Sequence, residues 1–165
     1  MSQATCVPLP SLAQMAALAY PDRIGLRRKG DAPRWVLSGG KGVHVVVPLD
    51  PGHSWDAHKD FSKRFAEALS LAEPDRYVAT MSKAKRKGKI FIDWLRNARG
   101  ATSVSSWSLR ARPGAGVAVP LRWEELGRIT AADAFPMAKA LQRAQRLKQD
   151  PWDGIEAVKQ VLPGA

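Results

Sequence analysis

Cysteine and acid are what this sequence has least of. One cysteine, Cys6, among 165 residues excludes an intrachain disulfide and any zinc site built from cysteines. Aspartate and glutamate number 15 against 26 lysines and arginines, which leaves a formal charge of +11. No apolar run reaches the roughly 18 residues of a membrane-spanning helix. The Ala-rich stretch near the start is short and broken by Pro8, Pro10 and Pro21, and no basic start leads an apolar segment. No secretory signal is therefore read, and a cytoplasmic, nucleoid-associated location is the expectation. The chain also lacks a D-x-D pair, an internal repeat and a low-complexity tract.

What is present is an ordinary globular composition with an unusual charge. Hydrophobic residues make up 45% and charged residues 25%, which suits one folded domain with a real core. The positive excess favours a polyanionic partner, because phosphates release counterions when lysine or arginine neutralises them. The basic residues are grouped. Lys83, Lys85, Arg86, Lys87 and Lys89 form one cluster, and Arg96, Arg99, Arg110 and Arg112 a second. Both flank a β-rich segment, Ile90 to Leu95. A solvated helix face would mix signs instead.

Along the chain, residues 1–10 read as a loose arm, and Ser11 caps a short helix through about Ala19. Trp35–Leu37 and Val43–Val47 read as strands that can pair across Ser38-Gly39-Gly40-Lys41-Gly42. Ser54 caps a helix to about Ala72, with Trp55, Phe61, Phe65 and Leu69 as its buried stripe. Tyr77–Ala79 and Ile90–Leu95 are strand candidates, with weaker ones at 103–109 and 117–119. Helices are expected near 133–148 and 153–162, initiated by Asp133 and Asp153. Strands and helices intermix, so the fold class is α+β, a mixed or antiparallel sheet flanked by helices.

Three constellations can carry chemistry. In Ser38–His44, glycines let backbone N–H groups approach a phosphate, Lys41 supplies a charge, and Ser38 and His44 supply directional hydrogen bonds. The alternative is a plain hairpin turn, and the P-loop spacing is absent. Asp93 sits in an apolar strand, as a metal ligand, as the partner of Arg96 or a lysine, or on the solvent face of an edge strand. Arg110 and Arg112 are placed on one face of a strand. With Arg96 and Arg99 they suit triphosphate oxygens or a nucleic-acid backbone, or else form rim salt bridges.

The strings SGGKGVHVVVPL at 38–49, MSKAKRKGKIFIDWLRNARGATSVSSWSLRARPGAGVAVPLRWEEL at 81–126 and DPWDG at 150–154 closely resemble the polymerase domain of bacterial DNA ligase D, in the archaeo-eukaryotic primase superfamily. The resemblance covers roughly residues 34–162. It implies a primase-polymerase-like fold and nucleotidyl transfer at DNA double-strand breaks during non-homologous end joining. By it, Ser38 and His44 are nucleotide-phosphate contacts, with Lys41 in the same turn. Asp93 is a catalytic metal carboxylate, and Arg96, Arg110 and Arg112 surround the triphosphate. The run Lys83, Lys85, Arg86, Lys87 and Lys89 has a DNA-binding or structural duty. Mn2+ or Mg2+ is the implied cofactor. The implied partners are DNA ends, nucleoside triphosphates, the Ku end-binding protein, and a ligase or missing half-domain acting in trans.

The departures are as informative. The family carries a D-x-D pair on a strand upstream of the glycine turn, and residues 1–21 here hold no Asp or Glu. Leu37 stands where a small hydroxyl residue is expected. The expectation is therefore an atypical arm with a short helix at 1–33 and the C-terminal portion of a polymerase domain at 34–165. Its nucleotidyltransferase activity is in question, because one carboxylate stands where three are needed. A non-catalytic nucleotide- or DNA-binding module, or a degenerate remnant, is the alternative.

Overall fold

The structure is a computed structural model that describes residues 3–8 (as backbone), 34–158 and 161–162. The helix expected at 11–19 lies outside the described residues. Gln3–Pro8, expected as part of a loose arm, instead forms strand β1. It pairs antiparallel with β3 (Gly42–Val47), Cys6 opposite His44. Pro8 ends the pairing, and no alternation of apolar residues marks QATCVP as a strand.

The expected hairpin is present. β2 (Arg34–Leu37) and β3 pair antiparallel in register Leu37 to Val43. β6 (Val119–Leu121) adds to the other side of β2, giving the order β1-β3-β2-β6. A second, parallel pair joins β4 (Tyr77–Val78) to β5 (Ile90–Phe91). β1 lies close to β5 as well, so the two sheets approach along β1. The architecture is α+β, as expected.

α1 (Trp55–Ala72) starts where Ser54 Oγ accepts from Ala57 N at 3.2 Å. Its last turn closes with Glu73 N donating to Leu69 O. Ala66, not Trp55, is its buried centre: Trp55 is 39% exposed, while Phe61 and Phe65 are half-buried. α2 (Met137–Arg146) is shorter than the expected 133–148, because Pro136 occupies its N-cap and Asp133 stays outside. Of the expected helix at 153–162, the described residues form a single 3-10 turn, Ile155–Ala157, entered through left-handed Gly154.

One face of the large sheet forms the core. Trp35, Leu37, Val43, Val119 and Leu121 alternate onto that face and pack with Ala66, Tyr77, Ile90, Ile92, Leu126 and Ala140. Leu37 is fully buried there, opposite both Val43 and Val119. Burying such a side chain contributes roughly 2 kcal/mol, which accounts for leucine where a hydroxyl was expected. The opposite face carries Val36, His44 and Pro120 in one transverse row. That row is the floor of the site.

Candidate functional site

The glycine turn is tightly built. Ser38 N donates to Gly42 O at 2.9 Å, and Ser38 Oγ accepts from Gly42 N at 3.1 Å. Ser38 is buried, so its hydroxyl first closes the turn. Gly39 is left-handed (φ +62), and a Cβ there would stand 2.7 Å from Val117 C. The turn is thus pressed against the backbone at 116–118. Gly40 has a different neighbour: its Cβ would meet Arg112 Nη1 at 2.5 Å. Absence of a side chain lets the Arg112 guanidinium lie over the turn. Lys41 is exposed beside it.

His44 is buried on the site face of β3. Burial first, then the positive fields of Arg96 and Arg110, push its imidazole down from 6.5 to about 4, against an opposing pull from Asp93. His44 is therefore neutral at physiological pH, with one ring nitrogen donating and the other accepting. Arg96, Arg110 and Asp93 thus all act electrostatically on one imidazole.

Asp93 follows a strand shorter than expected. β5 ends at Phe91, and Asp93 Oδ1 accepts from Leu95 N at 3.2 Å, a side-chain turn that stops extension. Asp93 Oδ2 accepts from Arg96 Nε at 3.3 Å, the ion pair that was one alternative for this residue. Arg96 Nη1 also donates to Thr102 O at 2.8 Å. Arg110 and Arg112 do not share a strand face. They lie in a tight turn, Arg112 N donating to Arg110 O, beyond the bridge between Leu109 and Val117. Arg110 N donates to Gly116 O, beside Gly39, and Arg112 lies over Gly40. Arg99 is exposed in the loop just after Arg96.

The lysine run divides in two. Arg86 stacks over Phe91 at 3.5 Å and donates to Thr80 O and Met81 O. Lys89 Nζ donates to Pro74 O at 2.7 Å. These two fix the loop, while Lys83, Lys85 and Lys87 are exposed.

The described residues do not fit a divalent ion. A hard cation requires several oxygen ligands in near-octahedral array. Asp93 offers one carboxylate, with hydrogen bonds already on both oxygens. No group of three His, Cys, Asp or Glu able to hold a metal occurs among the described residues. β1, which borders β3 and approaches β5, reads QATCVP and holds no carboxylate.

Sequence reasoning missed a cleft on the same sheet face. Its volume is about 490 Å3, Pro120 lines it, and Trp107 and Trp152 contribute indole walls beside Asp150, Asp153 and Glu156. Trp107 is left-handed (φ 65), and Trp152 Nε1 donates to Trp35 O at 3.3 Å. Neither tryptophan carries a local sequence signal for such a placement.

A model of the LigD primase-polymerase domain family matches residues 8–152. That match begins well upstream of residue 34 and takes in the end of β1. The multifunctional non-homologous end joining protein LigD of Pseudomonas aeruginosa is 38% identical over 93% of this chain. The LigD DNA repair protein of Mycobacterium tuberculosis is 38% identical over 70% of it. This chain spans 18% and 15% of those two proteins respectively. The solved polymerase domain of Mycobacterium tuberculosis Ligase D, in complex with DNA, superposes with a TM-score of 0.79 at 30% identity. The alignment covers 94% of this chain and 55% of that domain. No helix among the described residues is long and apolar enough to cross a membrane.

Proposed function

The chain belongs to the LigD primase-polymerase domain family, and from that premise we propose that it serves nucleotidyl transfer at broken DNA ends in non-homologous end joining, with catalysis dependent on carboxylates from outside this sequence. One observation carries the reading: Arg96 pairs with Asp93, Arg110 N bonds Gly116 O beside the glycine turn, and Arg112 lies over that turn at Gly40, with the fields of Arg96 and Arg110 both acting on His44. Guanidinium forks of this kind bond phosphate oxygens in pairs. Ser38, Lys41 and His44 then border the nucleotide phosphates, with Ser38 shaping the turn. Among the described residues, Asp93 is the carboxylate this reading assigns to the catalytic Mn2+ or Mg2+ of the family.

DNA is the macromolecular partner in this reading. Lys83, Lys85 and Lys87 project from a loop that Arg86 and Lys89 anchor, an arrangement suited to backbone phosphates. Residues 34–165 carry these contacts, and Gln3–Pro8 adds the strand at the sheet edge. Ku, a ligase, or a half-domain bearing the acidic pair are the protein partners this activity calls for.

Primer extension with manganese and nucleoside triphosphates is the test. The pure chain is expected to extend no primer. Robust extension, lost on Asp93→Ala, overturns the dependence on outside carboxylates.

A second reading, a non-catalytic nucleotide- and DNA-binding module, is favoured by the engagement of both Asp93 oxygens. Salt-sensitive DNA binding that persists when a D-x-D-bearing partner fails to restore extension supports it. Restored extension removes it.

A further inference from the structure

We infer that the arginine cluster takes a nucleoside triphosphate as the bare polyphosphate anion, without a divalent ion, the guanidinium groups standing in for the metal's charge. The inference rests on the nucleotide reading above and specifies the form in which that nucleotide is held.

The balance of charge at the site carries it. Arg96 and Arg110 act on His44, Arg112 lies over Gly40, and Lys41 is exposed on the same turn. Asp93 is one carboxylate facing them, and Arg96 already compensates it. His44 leaves the balance unchanged, because it is neutral at pH 7. Among the described residues no group of three His, Cys, Asp or Glu could hold a metal, and β1, opposite His44 and close to β5, includes no acid.

A divalent cation entering this field meets guanidinium groups and one neutralised carboxylate. It gains too few oxygen ligands to replace its water. A triphosphate meets the opposite situation. Its roughly four negative charges complement the arginines, and each fork bonds two oxygens in a fixed geometry. Chelation by magnesium removes about half of that charge and brings a cation toward Arg96, Arg110 and Arg112, so the chelate is the poorer ligand. Gly40 matters because a side chain there would occupy the place of the Arg112 guanidinium.

The test is calorimetry on the full chain, with ATP and inorganic tripolyphosphate as probes, in EDTA and in excess Mg2+ or Mn2+. Both probes are expected to bind in EDTA, and excess divalent ion to weaken both by about tenfold. Asp93→Asn is expected to bind at least as tightly in EDTA, since it removes a negative charge and releases Arg96. Gly40→Ala and Arg112→Gln are expected to weaken binding by about tenfold each, for loss of one charge-assisted contact. Circular dichroism melts show that each variant is folded, and the metal comparison on the wild type requires no variant. Binding that requires the metal and disappears in Asp93→Asn overturns the inference while the nucleotide reading stands. Failure of both probes in every condition overturns the two together.

Discussion

Arg143 and Arg96 each meet a carboxylate, and the two meetings differ in kind. Arg143 Nη1 and Nη2 reach Glu125 at 2.6 and 2.8 Å, Nη2 also reaches Pro120 O, and the Arg143 side chain is 13% exposed. Arg122 N adds a third bond to the same carboxylate. Arg96 makes one 3.3 Å contact to Asp93 and is 51% exposed. The adjoining glycines repeat the contrast. Gly39 is pressed on backbone at 116–118, while Gly40 borders the movable Arg112 side chain. One set of contacts is closed on itself and holds β6, the 3-10 turn Trp123–Arg128 and α2 together. The other is open on one side, which leaves it free to exchange partners. Similar residue types therefore serve structure in one place and ligand binding in the other.

The largest effect is expected at Gly39. Gly39→Ala combines a left-handed backbone with a Cβ under 3 Å from three backbone atoms, so backbone must move. A loss of about 3 kcal/mol or more is expected in a denaturant melt. Gly40→Ala is expected to stay within about 1 kcal/mol of wild type, because an arginine can swing aside. Equal losses at the two positions break the contrast between closed and open contacts.

Arg143→Ala comes next, at about 2–3 kcal/mol, because it strands Glu125 and Pro120 O in partly buried surroundings. For a domain of this size that is a fall of roughly 5–10 °C in Tm. The same pair sets part of the acid limit. Burial alone raises the Glu125 carboxyl, but the bonds from Arg143 and Arg122 outweigh it and leave it below its ordinary value. Its stabilisation is present above the unfolded carboxylate pKa and is lost as pH falls through the folded one.

His44 acts at higher pH and in the same direction. Its folded pKa, about 4, lies below 6.5, so the unfolded chain takes up the proton first. The stability it contributes is complete above about 6.5 and is lost as pH falls toward 4, on the order of 2 kcal/mol by pH 5. Melts of wild type and His44→Gln between pH 7 and 5 measure this. A wild-type slope that survives the substitution removes His44 as its source.

The hairpin and α1 were legible, because glycine spacing, a serine cap and helical periodicity are local signals. β1 was not, since its partner strand is more than thirty residues away. The reach of the Ile90–Leu95 strand was overread, because the alternation of Ile90 to Asp93 does not reveal that Asp93 will bond Leu95 N. Arg110 and Arg112 were placed on one strand face by parity, and the turn between the 109 and 117 bridge residues overrides it. The Glu125–Arg143 staple joins residues far apart in sequence, so spacing carries no trace of it.

The smallest expected effect is the sharpest test of the comparison. Arg96→Ala and Asp93→Asn should each change stability by no more than about 0.5 kcal/mol, because an exposed, single-contact pair in water is worth little. A double-mutant cycle on this pair should return a coupling of at most about 0.5 kcal/mol, and the same cycle on Glu125 and Arg143 about 2 kcal/mol. The physical reason is solvent. Water and counterions solvate Arg96 once Asp93 is gone, whereas Arg143, wedged against Pro120 O and the Phe135 ring, has little access to either. A coupling at Asp93–Arg96 as large as that at Glu125–Arg143 would make it a structural clamp. Arg96 would then be too costly to detach for any phosphate to recruit it.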